Sequence, residues 1–142
     1  MLLIQNGRVL DPYTDTDAPR DVLIGEDGVI TQVAERIEAP AGCTVYDAAG
    51  LTVSPGFVDG HVHFRDPGQT QKEDVLTGAA AAANGGYATV ICMANTLPTC
   101  DTPETIAYVT EKAKNCPVEV LQAGAVTYGL KGERLTDFAA LR

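Results

Sequence analysis

The sequence predicts an α/β chain: a small β module over residues 1–55, then the first βα units of an incomplete parallel barrel over residues 56–142. Three observations lead there. Short apolar runs broken by turn signals fill the first 55 residues. From Phe57 onward, strand-like runs alternate with helix-like ones at a spacing of about 30 residues. The strand that opens this repeat ends in two histidines two positions apart, His61 and His63.

In the first part the apolar runs fall at 2–4, 9–10, 21–24, 29–33, 44–46 and 51–53, and together they read as an antiparallel β module. Asp27-Gly28 between two such runs is a hairpin signal, because glycine tolerates the left-handed backbone that tight hairpin turns require. The second part predicts strands at 57–63, 88–93 and 118–126. Thr70-Gln71-Lys72-Glu73 has the form of a capping box, after which an alanine-rich helix runs through Ala83 and stops at Gly85-Gly86. Thr102-Pro103 opens a second helix, Ile106, Val109 and Ala113 recur at helical spacing, and Pro117 prevents its continuation. Thr136 is expected to cap a third helix. A repeated βα unit implies parallel strands joined by crossovers. A complete (β/α)8 barrel takes ~250 residues, so the repeat is either a small open sheet or the front of a barrel. The helical pattern that reaches Leu141-Arg142 without a cap favours the barrel cut short.

Composition removes several function classes. Ten Lys and Arg stand against nineteen Asp and Glu, a net charge of −9 that repels phosphate backbones and anionic lipid. Nucleic-acid and membrane roles are therefore not expected. No apolar run approaches the ~20 residues of a membrane span, and Met1-Leu2-Leu3-Ile4-Gln5-Asn6-Gly7-Arg8 lacks the plan of a signal peptide. Cys43, Cys92, Cys100 and Cys116 form no C-x-x-C pair and read as reduced thiols of a cytoplasmic chain. Ser54 is the sole serine and lies in no G-x-S-x-G turn, which removes serine hydrolases. There is no G-x-G-x-x-G or Walker sequence.

Chemistry concentrates in Phe57-Val58-Asp59-Gly60-His61-Val62-His63-Phe64-Arg65. Residues i and i+2 of a strand face the same side, so His61 and His63 point together. Two convergent neutral imidazoles make half a zinc site; two half-buried strand histidines without a metal are the alternative. A catalytic zinc takes three protein ligands plus water, and the chain has only these two histidines. Arg65 would share their face if the strand persists, and its planar fork suits a carboxylate; the alternative is a surface residue paired with Asp66 or Glu73. Asn95, before Thr96 at a strand end, reads equally as an Asx-turn residue. Asp59 reads as a structural strand-end carboxylate, Asp66-Pro67-Gly68 as a turn and Glu73 as the capping acid. Cys92 reads as a small core residue, and Lys72, Asp74 and Lys112 as solvated helix surface.

The run Val53-Ser54-Pro55-Gly56-Phe57-Val58-Asp59-Gly60-His61-Val62-His63-Phe64-Arg65-Asp66-Pro67-Gly68 resembles the first-strand signature of the amidohydrolase superfamily. Its H-x-H-x-R form followed by D-P-G is similar to that of type I dihydroorotases. Lys72-Glu73-Asp74, the helix closing in Gly85-Gly86, and Met93-Ala94-Asn95-Thr96 agree with it. So, more loosely, do Gly124-Ala125-Val126-Thr127 and Gly132-Glu133-Arg134-Leu135. Ala94 departs from the family, which usually has proline there. The resemblance implies the N-terminal portion of a metal-dependent (β/α)8 TIM barrel preceded by a small β-sandwich module. It implies that His61 and His63 ligate the more buried ion of a zinc pair, and that Arg65 and Asn95 hold a substrate carboxylate. The remaining ligands and a catalytic aspartate would lie beyond Arg142, so no catalytic residue is assigned within the chain. The implied activity is that of a hydrolase interconverting dihydroorotate and N-carbamoyl-aspartate in pyrimidine synthesis. A small-molecule substrate is the implied partner, with a homodimer or association with aspartate transcarbamoylase open for the complete protein. An allantoinase or hydantoinase, a non-catalytic scaffold binding aspartate transcarbamoylase, and an intact small protein of unrelated function are the competing readings.

Overall fold

A computed structural model describes residues 1–142, in which Met1–Pro55 and Gly56–Arg142 form two separate units. The first is built on β1 (Leu2–Asp11), β2 (Thr16–Ile24), β3 (Ile30–Ala34), β4 (Thr44–Asp47) and β5 (Thr52–Val53). They form one five-stranded sheet in the order β3-β2-β1-β4, with β5 also on β1. The expected sandwich is thus represented in residues 1–55 by a single sheet. Nor is that sheet antiparallel throughout: β4 and β5 pair with β1 in parallel.

The apolar runs at 2–4 and 9–10 belong to one strand. Gln5-Asn6-Gly7 between them hides this, because Asn6 takes a left-handed backbone (φ +63) where the β1–β2 register shifts. The irregularity re-aims the strand, as bulges do, and brings the Asn6 N–H to Asp21 Oδ1 at 3.0 Å. Asp21 is only 4% exposed, and its Oδ2 accepts from the Ile37 N–H at 2.9 Å and from Gln5 Nε2 at 3.3 Å. The carboxylate thereby fastens the loop after β3 over a core that includes Leu3, Val9, Val22 and Ile37.

In the second unit β6 (Phe57–Val62), β7 (Tyr87–Cys92) and β8 (Glu119–Gln122) form a parallel sheet with β7 in the middle. The helices α1 (Val75–Asn84) and α2 (Pro103–Ala113) are the crossovers, packed on β7 and β8 and on each other. Val75, Ala79, Val90, Cys100 and Val109 are almost completely buried at the centre. Gly78 allows α1 to lie this close, since a Cβ there would stand 2.4 Å from the Phe64 ring.

Several boundaries differ from expectation. The box at Thr70 does not cap α1; Asp74 does, accepting from the N–H groups of Leu76 and Thr77 in a box completed by Thr77. Glu73 instead accepts from the Thr77 hydroxyl and the Asp74 N–H. The Thr102-Pro103 start of α2 is as expected. β8 ends at Gln122 rather than 126, because the Ala125 N–H leaves the ladder for the Cys100 carbonyl at 2.8 Å. Thr136 caps no helix. Its hydroxyl donates to the Ala125 carbonyl at 2.7 Å, and the backbone after it forms turns. No helix is long and apolar enough to cross a membrane.

Two outcomes are expected. Burial works against ionisation of Asp21, but the N–H groups of Ile37 and Asn6 and the Gln5 amide outweigh it and hold the carboxyl below the ordinary carboxylate range. Such a group contributes stability that is complete above its unfolded pKa of about 3.9 and is lost as pH falls toward the folded value. Asp21→Asn should therefore lower Tm at neutral pH and flatten its decline below about pH 4; paired pH series of thermal melts check this, and equal acid slopes would exclude Asp21 from the response. Secondly, Phe57, Val58, Leu121 and Val126 are exposed, and the sheet has open edges at β6 and β8. An isolated 1–142 polypeptide should self-associate through them, whereas a monodisperse monomer with a cooperative melt on size exclusion and calorimetry would refute this.

Candidate metal centre

Parallel pairing puts the C-terminal ends of β6 and β7 side by side, and the Met93 N–H donates to the Val62 carbonyl at 2.9 Å. His61 is the penultimate residue of β6, His63 lies just beyond the strand, and Asn95 just beyond β7. β6 is not regular here. Asp59 pairs with Val90 but Val62 with Cys92, so β6 carries one residue more than β7 over the same stretch. Asp59 Oδ1 stabilises this bulge by accepting from the His61 N–H at 3.0 Å. Simple alternation along a strand is therefore not what aligns the two histidines. The bulge turns His61 toward His63, and their rings lie 5.0 Å apart at 66°.

The two Nε2 atoms are 3.2 Å apart. Two nitrogens each ~2.0–2.1 Å from one tetrahedral ion would be separated by about 3.3–3.4 Å, so the pair is set for a shared ion with little movement. On its far side His63 Nδ1 lies 2.8 Å from Asn95 Oδ1. A carbonyl oxygen can only accept, so Nδ1 carries the proton and Nε2 is left with a lone pair that could ligate an ion. Both rings are exposed, open to an incoming ion and further ligands. No group of three or more His, Cys, Asp or Glu gathers anywhere in the chain. The chain thus brings together two imidazole nitrogens that could ligate an ion and one amide that contacts the second ring.

The structure brings together His61, His63 and Asn95 but not Arg65. The strand ends at Val62, so Arg65 does not continue the histidine face; it sits in a turn at φ +62, half-buried, with no acidic side chain bound to it. Asn95 makes the His63 contact rather than an Asx turn. Asp66 is more than a turn residue. Its side chain is fully buried and accepts from Lys112 Nζ at 2.8 Å and the Tyr108 hydroxyl at 2.9 Å. Lys112 is correspondingly not free helix surface, and Asp66, followed by Tyr108, holds its ammonium above the ordinary lysine range. Tyr108 belongs to no motif of the sequence; its i,i+4 spacing from Lys112, which puts both on one face of α2, is the signal that points to it. Cys92 lies in the core, where burial pushes its thiol up to about 12, so it supplies no thiolate at neutral pH.

A model of the dihydro-orotase-like family matches residues 50–142. Dihydroorotases of Clostridium acetobutylicum and Streptococcus pneumoniae are 49% identical over 142 residues and 50% identical over 141 residues, covering 100% and 99% of this chain and 33% of each relative. The chain spans about a third of the length of the curated relatives it matches. Among solved structures, a D-hydantoinase (dihydropyrimidinase) from Thermus sp. matches 89% of this chain and 28% of its own at TM-score 0.71 and 33% identity. A dihydroorotase crystal structure shares the fold over 91% of this chain and 32% of its own, at TM-score 0.66 and 19% identity.

The Asn95 contact carries a prediction. Asn95→Leu leaves both imidazoles in place but frees His63 Nδ1, and should weaken zinc retention by about 10–100-fold. Titration of the full-length protein against a chromophoric chelator measures this; unchanged affinity would mean that the amide does not orient the ligand.

Proposed function

Because the chain belongs to the dihydroorotase-like family, we propose that it is part of a zinc-dependent dihydroorotase, whose metal-dependent (β/α)8 barrel is completed by sequence outside residues 1–142. The observation that carries this reading is the convergence of His61 and His63 Nε2 at 3.2 Å, with the Asn95 amide behind His63. The reaction would interconvert dihydroorotate and N-carbamoyl-aspartate in pyrimidine synthesis. In the hydrolytic direction the ring C–N bond breaks, hydroxide adds to the carbonyl carbon, and a proton goes to the departing ring nitrogen. Two zinc ions, when bound, supply acidified water and polarisation of the ring carbonyl. His61 and His63 hold one of them, as neutral imidazoles with Nε2 facing inward. Arg65 offers its guanidinium fork to the substrate carboxylate, and Asn95 keeps its Nδ2 hydrogens for the same group. In a chain of net charge −9, an anionic substrate needs such a local cation. Four free cysteines suit a cytoplasmic setting. Homodimerisation or association with aspartate transcarbamoylase would be a property of the whole protein.

A hydantoinase-type reading draws on structural neighbours such as the Thermus enzyme. Arg65 favours the first reading, since a ring without a carboxylate has no use for the cation. Two measurements on the full-length protein test this. His61→Ala with His63→Ala should remove at least one of the two zinc ions, and unchanged metal stoichiometry would defeat the metal assignment. Arg65→Met should cost roughly 2–4 kcal/mol in transition-state terms on dihydroorotate, as for loss of a charge-assisted pair, with much less effect on dihydrouracil and none on zinc content. An equal loss on both rings would sink the carboxylate role.

A further inference from the structure

We propose that Asp66, Tyr108 and Lys112 form a positioning device that sets Arg65 for substrate-carboxylate recognition, an inference that rests on the dihydroorotase reading above. Arg65 is the starting point. It is a non-glycine residue with a left-handed backbone, a conformation that costs energy and persists only where its surroundings dictate it. The next residue shows what dictates it. The Asp66 side chain is fully buried, and a buried carboxylate is tolerable only with partners. It has three: Lys112 Nζ at 2.8 Å, the Tyr108 hydroxyl at 2.9 Å and, more distantly, the Val75 N–H at 3.4 Å. Two of these lie on one face of α2 and the third begins α1, so Asp66 ties the turn to both helices. Lys112 also lies over the Tyr108 ring, 4.7 Å from its centroid, which keeps the two donors together.

The other side of the turn is fixed as firmly. The Leu97 N–H donates to the Pro67 carbonyl at 3.1 Å. Gly68, at φ +99, lies so close to this segment that a Cβ would stand 1.8 Å from the Leu97 carbonyl oxygen. The Gln69 N–H closes the turn onto the Arg65 carbonyl at 2.8 Å. The turn that presents Arg65 is thus docked against the segment carrying Asn95, with helix donors behind it, while the guanidinium itself has no acidic partner. This leaves the cation held in place by its backbone and free at its tip. Asp66, Tyr108 and Lys112 are positioning residues: they act through Arg65 and not on the reacting atoms.

The test uses the zinc-loaded full-length protein with two ring substrates, dihydroorotate and dihydrouracil, which lacks the carboxylate. Lys112→Met should lower kcat/KM for dihydroorotate by about tenfold, chiefly through KM, since small misplacement of a binding group has effects of this order or larger. Dihydrouracil turnover and zinc content should change much less, and Lys112→Arg should restore most of the loss. Tyr108→Phe, which removes one hydroxyl and keeps the packing, should show the same selectivity in weaker form and serves alone if Lys112→Met does not fold. Equal losses on both rings, or no loss in either variant, would overturn the proposal. Arg65→Met separates the two levels. If it is selective for dihydroorotate while the Lys112 and Tyr108 variants are not, only the positioning role fails. If it is itself unselective, the carboxylate-anchor reading fails, and this inference with it.

Discussion

The middle strand of the parallel sheet governs everything around the histidines. β7 has to satisfy its backbone hydrogen bonds on both edges, against β6 on one side and β8 on the other. At its C-terminal end the Met93 N–H reaches the Val62 carbonyl, and the Cys92 carbonyl accepts from the Ala123 N–H. These bonds bring three strand ends to one level and put Asn95 opposite His63. The extra residue in β6 between Asp59 and Val62 has to be absorbed against that fixed neighbour. It is absorbed as a bulge, which aims the His61 ring at that of His63.

Each unit uses one buried aspartate to close a loop, by different chemistry. Asp21 is held by backbone and amide N–H groups. Burial opposes its charge, but hydrogen bonds, with a smaller contribution from the Arg36 cation, outweigh it, which is why its carboxyl lies below the usual range. Asp66 faces a full counter-charge, the Lys112 ammonium, which it helps hold above the ordinary range. Removing one partner from either arrangement strands the rest, at a cost of about 1–3 kcal/mol per neutral group and more for a charged one. In both cases the aspartate lies far in sequence from the groups it fastens, 16 residues from Ile37 and 46 from Lys112.

That separation marks the limit of what the sequence discloses. The βα alternation, the Thr102-Pro103 helix start and the Asp27-Gly28 hairpin are local signals, and local chemistry decides them. The capping boxes show competition between neighbouring signals. Thr70 and Asp74 both offer a cap, and Asp74 prevails because residues 65–72 are already committed to a turn closed by Gln69 and Lys72 N–H groups. The early end of β8 and the missing third helix share a cause: Ala125 is bonded to Cys100 and to Thr136, contacts with no local signature. His61 and His63 were legible as a pair, but strand alternation was the wrong reason for their convergence. Lys112 read as solvated because nothing near it in sequence reveals a buried carboxylate.

Asn95 commits only half of its amide. Oδ1 is engaged by His63, while Nδ2 has no partner within the chain. A primary amide, like the neutral imidazole it meets here, accepts at one end and donates at the other in a single rigid plane. Rotating that plane to suit one neighbour rotates it away from the other. The orientation of the His63 imidazole and the direction of the free Nδ2 hydrogens are therefore mechanically geared through one side chain, and neither can be tuned alone. Aspartate, close in shape, would keep the acceptor that meets His63 but lose both donors and add a negative charge, so near-isosteric replacement preserves one half of the amide's role and reverses the other.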